Sequence, residues 1–348
     1  MEVPGRTESR VRRWRRYLRD RLPVLALLLL APTIPELLTG STPISTLFYD
    51  PFGFLLSFGL DIGLYGTGAL LIREFAVAYR KGWATILLLG AAYGIAEEGF
   101  AVHTFFQTSG SPVDALGSYG HAFGVNWLWA LGLTVFHATY SIALPILLVR
   151  LWYPATVSER WLRPGSLALV AFVYVGEVVL FAHLVGHGPS PFALAFFLGV
   201  VAVLIALAYS VPADVLLLAR RPTRIGRGGL VLAGALSFAG WVVVIFLSAT
   251  AIAPALVAAF VVALANGSAL AIILRRVGAL DTEVAEFWFA WGMLGILFAW
   301  DVPVEFSVPG ILGVAALIGY LQYRLGRRIA GRNPGSGLAL RANRISSE

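Results

Sequence analysis

A chain of 348 residues that is 58% hydrophobic and 13% charged, with a mean hydropathy of +0.80, lies outside the balance of soluble domains and reads as a polytopic membrane protein. Its net charge of +7 is nearly all arginine, Lys81 being the one lysine, and it falls in short clusters between apolar runs, which reads as membrane topology rather than a nucleic-acid-binding face. Cysteine is absent, which excludes disulfides and thiolate metal sites, so a metal would need His and carboxylate ligands.

Residues 1–21 form a strongly basic segment. The apolar run that follows, Leu22 to Gly40, is placed like a secretory signal. It contains Pro32, Pro35 and Glu36 and has no small-x-small cleavage pattern, so it reads as an uncleaved first span. Further runs of about 20 residues, the length one helix needs to cross a bilayer core, lie near Phe52–Ala78, Trp83–Phe106, Asn126–Val149, Gly165–His187, Phe192–Ala219, Gly228–Ser248, Ala251–Leu274, Glu283–Trp300 and Val308–Gln322. The expectation is an all-α bundle of about ten transmembrane helices over residues 22–325.

The connecting segments alternate in charge. Arginine or lysine marks the N-terminus, the Arg73 to Lys81 junction, Arg150 to Arg163, Arg220 to Arg227, Arg275–Arg276 and the segment from Arg324 onward. The intervening loops, from Ser41 to Asp50, Gln107 to Gly124, and around Gly188, Thr250 and Asp301 to Ser307, carry none. Cytoplasmic loops hold the basic residues, so ten spans put both termini in the cytoplasm. Residues 326–348 read as a disordered basic tail, and Gln107–Gly124 as a partly ordered outer cap. The first spans hold most of the polar groups, which divides the bundle into a functional half at residues 22–190 and a scaffold half at 191–325.

Within this apolar frame Glu97 and Glu98 stand side by side in the third span. A carboxylate near the bilayer centre costs on the order of 2.5–3.5 kcal/mol, so it needs a partner, a cavity or a task. Glu98 lies fifteen residues beyond Trp83 and His137 thirteen before Arg150. At 1.5 Å per residue these are depths of roughly 22 and 20 Å from one boundary. Glu177 falls near the same level. On a regular helix adjacent residues point about 100° apart, so the two glutamates are not expected to face one small cavity equally. Thr134, His137 and Ser141 form a polar stripe, and Gly90 with Gly94 makes a GxxxG pair for close backbone approach. His183 and His187 have the i, i+4 spacing of metal ligands but sit near an interface, and His103 belongs to either group. Arg73 and Glu74 read as snorkelling side chains or as an ion pair at the inner end of the second span. Glu36, Asp301 and Glu305 read as an outer vestibule, and Trp83, Trp127 and Trp129 as interfacial anchors.

The order Glu97-Glu98, His137, His183 to His187 resembles that of the CAAX-processing and bacteriocin-processing membrane proteases, the abortive-infection family. The resemblance implies Glu97 as the base that activates water, Glu98 as its neighbour, and His137 and His183 as partners of the oxyanion or the water. Val102, Leu133 and His187 stand where that family has Arg, Phe and Asn. The stretches Pro35 to Pro43, Leu71 to Glu74 and Gly94 to Gly99 also resemble a broad prokaryotic set of uncharacterised membrane proteins, which implies a prokaryotic plasma membrane. Three functions follow as expectations: an intramembrane hydrolase acting on a membrane-associated peptide or small molecule through Glu97, Glu98 and His137, with Glu177, His183, His187, His103 and Ser141 in support; a proton-coupled carrier using the same carboxylates; or a scaffold whose acids pair with histidine as interhelical glue. The sequence does not decide a cofactor or a metal, and the partner it names is the lipid bilayer.

Overall fold

Among the described residues, four helices each carry a π-helical turn, in which the backbone bonds from residue i to i+5 and one extra residue widens the helix. The computed structural model describes residues 10–107, 119–186, 188–215, 226–249, 264 and 283–333. Helix α1 (Arg10–Pro32) runs into a π turn at Thr33–Leu37. A single-turn helix α2 (Thr46–Tyr49) leads to α3 (Pro51–Ala78), which has its π turn at Ile62–Gly66. Helix α4 (Trp83–Ala101) ends in one at Ala96–Ala101, and α5 (Trp127–Trp152) holds one at His137–Ala143. The remaining described helices are α6 (Pro164–Val185), α7 (Pro191–Ser210), α8 (Arg227–Ala249), α9 (Glu283–Val304) and α10 (Ile311–Arg332).

Six of these, α3 to α7 and α9, are long and apolar enough to cross a membrane. The fold is all-α, with one small exception described below. The expected span at Ala251–Leu274 lies outside the described residues except for Leu264. At the C-terminus α10 continues to Arg332, so helix extends into the stretch expected as tail.

Enclosure differs sharply between neighbours. The apolar window of α5 is 83% buried and that of α6 is 0% buried, which makes α5 the central post and α6 an outer helix. Leu169, Phe172, Val175, Val179 and Leu184 of α6 are exposed, an apolar surface suited to acyl chains. Close crossings are made at glycines. A Cβ at Gly90 would stand 2.8 Å from the Cα of Ala138, and one at Gly94 would stand 2.9 Å from the Cβ of His137. The GxxxG pair thus seats α4 directly on α5. Gly234 and Gly292 do the same for α8 and α9, where a Cβ would meet the carbonyl oxygens of Phe289 and Val231.

The exception to helix is a hairpin, β1 (His121–Ala122) paired antiparallel with β2 (Val125–Asn126). Its two-residue turn, Phe123–Gly124, has positive φ at both positions, as a type I′ turn requires. Asn126 then caps α5 by accepting the Trp129 N–H at 3.1 Å. At the other end of the bundle Arg73 and Glu74, both buried, form an ion pair. Arg73 also donates to the carbonyls of Thr156 and Val157 and stacks 3.5 Å over Trp161, while Glu74 accepts from the backbone of Trp161 and Leu162. This pair clamps the loop between α5 and α6 rather than snorkelling to water.

Removing one member of such a pair leaves the other charge buried. Arg73→Ala should cost about 3–5 kcal/mol in detergent-micelle unfolding, and Arg73→Met with Glu74→Leu should recover most of it. A loss below about 1 kcal/mol would show that the clamp is not structural. A second outcome concerns Glu305, whose carboxylate accepts from the backbone N–H of Gly310 at 2.8 Å and of Leu312 at 2.9 Å and caps α10. Those bonds hold its carboxyl below the ordinary range. The cap is therefore complete above the ordinary carboxylate range and is lost as pH falls through the lowered value. Amide protection at Leu312 should drop on acidification, and Glu305→Gln should abolish that dependence.

Candidate functional site

The π turns bring their residues together. Glu36 sits on the turn of α1, Tyr65 on that of α3, Glu97 and Glu98 on that of α4, and His137 and Ser141 on that of α5. Glu97, Glu98 and His137 are all buried. His137 Nε2 lies 2.8 Å from Glu97 Oε2 and 2.8 Å from Glu98 Oε1. Both adjacent glutamates reach one atom, against the expectation from regular helix geometry. In a π turn the rotation per residue drops to roughly 80°, which brings neighbouring side chains closer in direction, and the flexible glutamate stems close the rest.

Each of the three side chains is held by a hydroxyl on the atom that faces away from the meeting point. His137 Nδ1 bonds Ser141 Oγ at 2.9 Å. Glu97 Oε1 accepts from the Tyr65 hydroxyl at 2.6 Å, and Glu98 Oε2 accepts from Thr104. Thr104 in turn accepts from Trp129 Nε1 at 3.1 Å, so Trp129, buried, supports the site instead of anchoring at an interface. His137 Nε2 is aligned with Glu98 Oε1 for a hydrogen bond whose donor depends on the ring tautomer, and Glu97 Oε2, 2.8 Å from the same nitrogen, makes no aligned hydrogen bond.

The network extends through acids that sequence reading assigned elsewhere. The Tyr65 hydroxyl lies 2.6 Å from Glu36 Oε1 as well as from Glu97. Thr42 Oγ1 lies 3.1 Å from both Glu36 Oε2 and Asp61 Oδ2. The order Asp61, Thr42, Glu36, Tyr65, Glu97, His137 is a ladder in which a hydroxyl separates each carboxylate from the next. Glu36 therefore belongs to the site and not to a separate vestibule. Tyr65, Asp61 and Thr104 carried no periodic or motif signal that would have singled them out, and Thr42 lay within the Pro35 to Pro43 stretch without being distinguished there. Tyr93 and Tyr65 flank the imidazole with ring centroids 6.1 and 5.9 Å away.

Other residues stand apart from the cluster. Glu177, half-buried on α6, lies against Gly63 in the π turn of α3, where a Cβ would be 2.5 Å from its Oε1. His183 is exposed on α6, and His187 lies outside the described residues. His103 is buried with φ of 58° just after the π turn of α4 and tilts over Phe106. Asp301 is fully buried in α9 and does not line an open vestibule. A separate cavity of about 750 Å³ opens among Arg80, Lys81, Trp83, Arg150, Tyr153 and Glu286, and none of the Glu97, Glu98 and His137 side chains lines it.

Among the described residues, Glu97, Glu98 and His137 are the one group able to hold a metal ion, their ligand atoms lying within 4.8 Å of one another. The Gly94 contact sets the position of His137. Gly94→Ala should lower stability by about 1–3 kcal/mol and shift the His137 ring resonance, because the added methyl meets the His137 Cβ. Gly176→Ala, where nothing lies within 4 Å, should leave both unchanged, and equal behaviour of the two variants would contradict this packing.

No curated protein and no solved structure matches the chain. A family profile matches residues 25–315, most of the sequence and all of the cluster. With its apolar membrane-crossing helices and buried Glu/His group, the chain belongs to an uncharacterized membrane protein family.

Proposed function

We propose that this protein is a membrane-embedded hydrolase in which Glu97, Glu98 and His137 activate water against a carbonyl of a membrane-associated substrate, a peptide being favoured. The observation that carries the reading is the convergence of two carboxylate oxygens on one imidazole nitrogen at 2.8 Å each, far from aqueous solvent. A base of this kind takes a proton from water as the oxygen attacks the carbonyl carbon. The same proton then passes to the leaving amine as the carbon–nitrogen bond breaks. His137 is placed to stabilise the oxygen that becomes negative, supported by Ser141. The chain order of these residues resembles that of the CAAX-processing proteases, which supports a peptide as substrate. The alternating arginine clusters support about ten spans with both termini in the cytoplasm of a prokaryote, and the crowding of polar groups into the first spans supports a functional half at residues 22–190.

A scaffold role would give each acid a complete partner of its own. Here one imidazole serves two carboxylates, and one oxygen of Glu97 receives no directed bond, which disfavours that role. The ladder from Asp61 to Glu97 favours a second reading, a proton-coupled carrier, because alternating acids and hydroxyls pass protons through membrane proteins.

The two readings separate in one preparation. In nanodiscs, wild-type protein should cleave members of a panel of internally quenched, membrane-anchored peptides. Glu97→Gln, Glu98→Gln and His137→Ala should each lower turnover by roughly 10²–10⁴-fold. Full turnover in all three would refute the hydrolase. Proton uptake by proteoliposomes that depends on Glu97, with no peptide cleaved, would put the carrier in its place.

A further inference from the structure

We propose that Glu97 Oε2, Glu98 Oε1 and His137 Nε2 are the three protein ligands of a divalent transition-metal ion held inside the bundle. The proposal rests on the hydrolase reading for its role in the reaction, though not for its geometry, and with an ion bound His137 would serve the developing negative oxygen through the ion and not through its own N–H.

Donors and acceptors do not balance where the three side chains meet. In the ring tautomer whose Nδ1–H donates to Ser141, His137 Nε2 presents a lone pair to the same point that two carboxylate oxygens face. Three electron-rich atoms then lie within 4.8 Å with no donor among them. A cation at their centre resolves the conflict. Around a first-row ion with bonds of about 2.1 Å, neighbouring ligand atoms sit about 3.0–3.4 Å apart, close to the 2.8 Å of both observed nitrogen–oxygen edges.

An outer layer of hydrogen bonds fixes each of the three side chains. Metal-binding histidines and carboxylates bond their remaining polar atom to a second residue, which fixes their orientation. All three side chains do so here: His137 through Ser141, Glu97 through Tyr65, and Glu98 through Thr104, itself held by Trp129. The unserved Glu97 Oε2, on a buried residue, is aimed at the same point. Two carboxylates and a neutral imidazole supply charge to balance a dication where water does not. Three ligands also leave coordination positions open for water, as in catalytic rather than structural sites. One imidazole with two carboxylates suits zinc or manganese better than the thiolate-preferring ions.

The test uses the full-length protein in nanodiscs, stripped with a chelator and equilibrated with Zn²⁺ or Mn²⁺ alone. Wild type should retain about one ion per chain by elemental analysis, and Co²⁺ should give a ligand-field absorption band. Glu97→Gln and His137→Ala should lose both signals. Should those variants fail to fold, Ser141→Ala keeps every ligand and should weaken affinity by roughly 10–100-fold while shifting the Co²⁺ band. Failure of wild type to retain either ion, or equal retention by all variants, overturns the metal site. Peptide cleavage that survives stripping yet is lost in Glu97→Gln overturns the metal and leaves the hydrolase standing. Stoichiometric binding without cleavage does the reverse.

Discussion

Two carboxylates and an imidazole share one buried point on helices whose remaining surface is apolar, and the electrostatic cost of that placement governs the surrounding structure. An unpaired charge there costs several kcal/mol, so each acid is tied down. Glu97 is tied to Tyr65 and His137, Glu98 to Thr104 and His137, and Glu36 to Tyr65 and Thr42. The supporting groups are hydroxyls, each with one proton to donate and lone pairs to accept, so each can donate to one neighbour and accept from another. The most enclosed helix, α5, carries the imidazole that the ladder ends on.

The π turns are the backbone's part of this arrangement. Each widens a helix by one residue and changes the direction in which its side chains leave the axis. Glu36, Tyr65, the Glu97–Glu98 pair and His137 all lie on such turns, one from each of four helices. Close approach of the helix axes completes the geometry, because Gly94 lets α4 come near enough for a glutamate to span to His137. Irregular backbone and missing side chains therefore act together, and both concentrate at the polar centre rather than in the lipid-facing helices α6 and α7.

Much of this was legible in the sequence, for identifiable reasons. Apolar length and rise per residue placed Glu98 and His137 at one level without any contact information, and the i, i+4 glycines marked the crossing that joins them. Ser141 emerged from helical periodicity alone. What periodicity cannot show is a change of period. The π turn is a local departure from 3.6 residues per turn, so the joint reach of Glu97 and Glu98 and the inward turn of Glu36 were hidden. Tyr65, Asp61, Thr42 and Thr104 enter through contacts between segments distant in the chain. Arg73 and Glu74 looked like a boundary pair because neither residue signals that the loop at Thr156 to Leu162 folds back over it.

The central claim is that Glu97, Glu98 and His137 meet inside the bundle in a lipid environment. A cryo-electron-microscopy map of the protein in a lipid nanodisc, at a resolution that places side chains, tests it most directly. It should show both glutamate side chains reaching within about 3 Å of His137 Nε2, with Tyr65 between Glu97 and Glu36. Glutamates turned toward acyl chains, or separated from the ring by packed apolar side chains, would contradict the account.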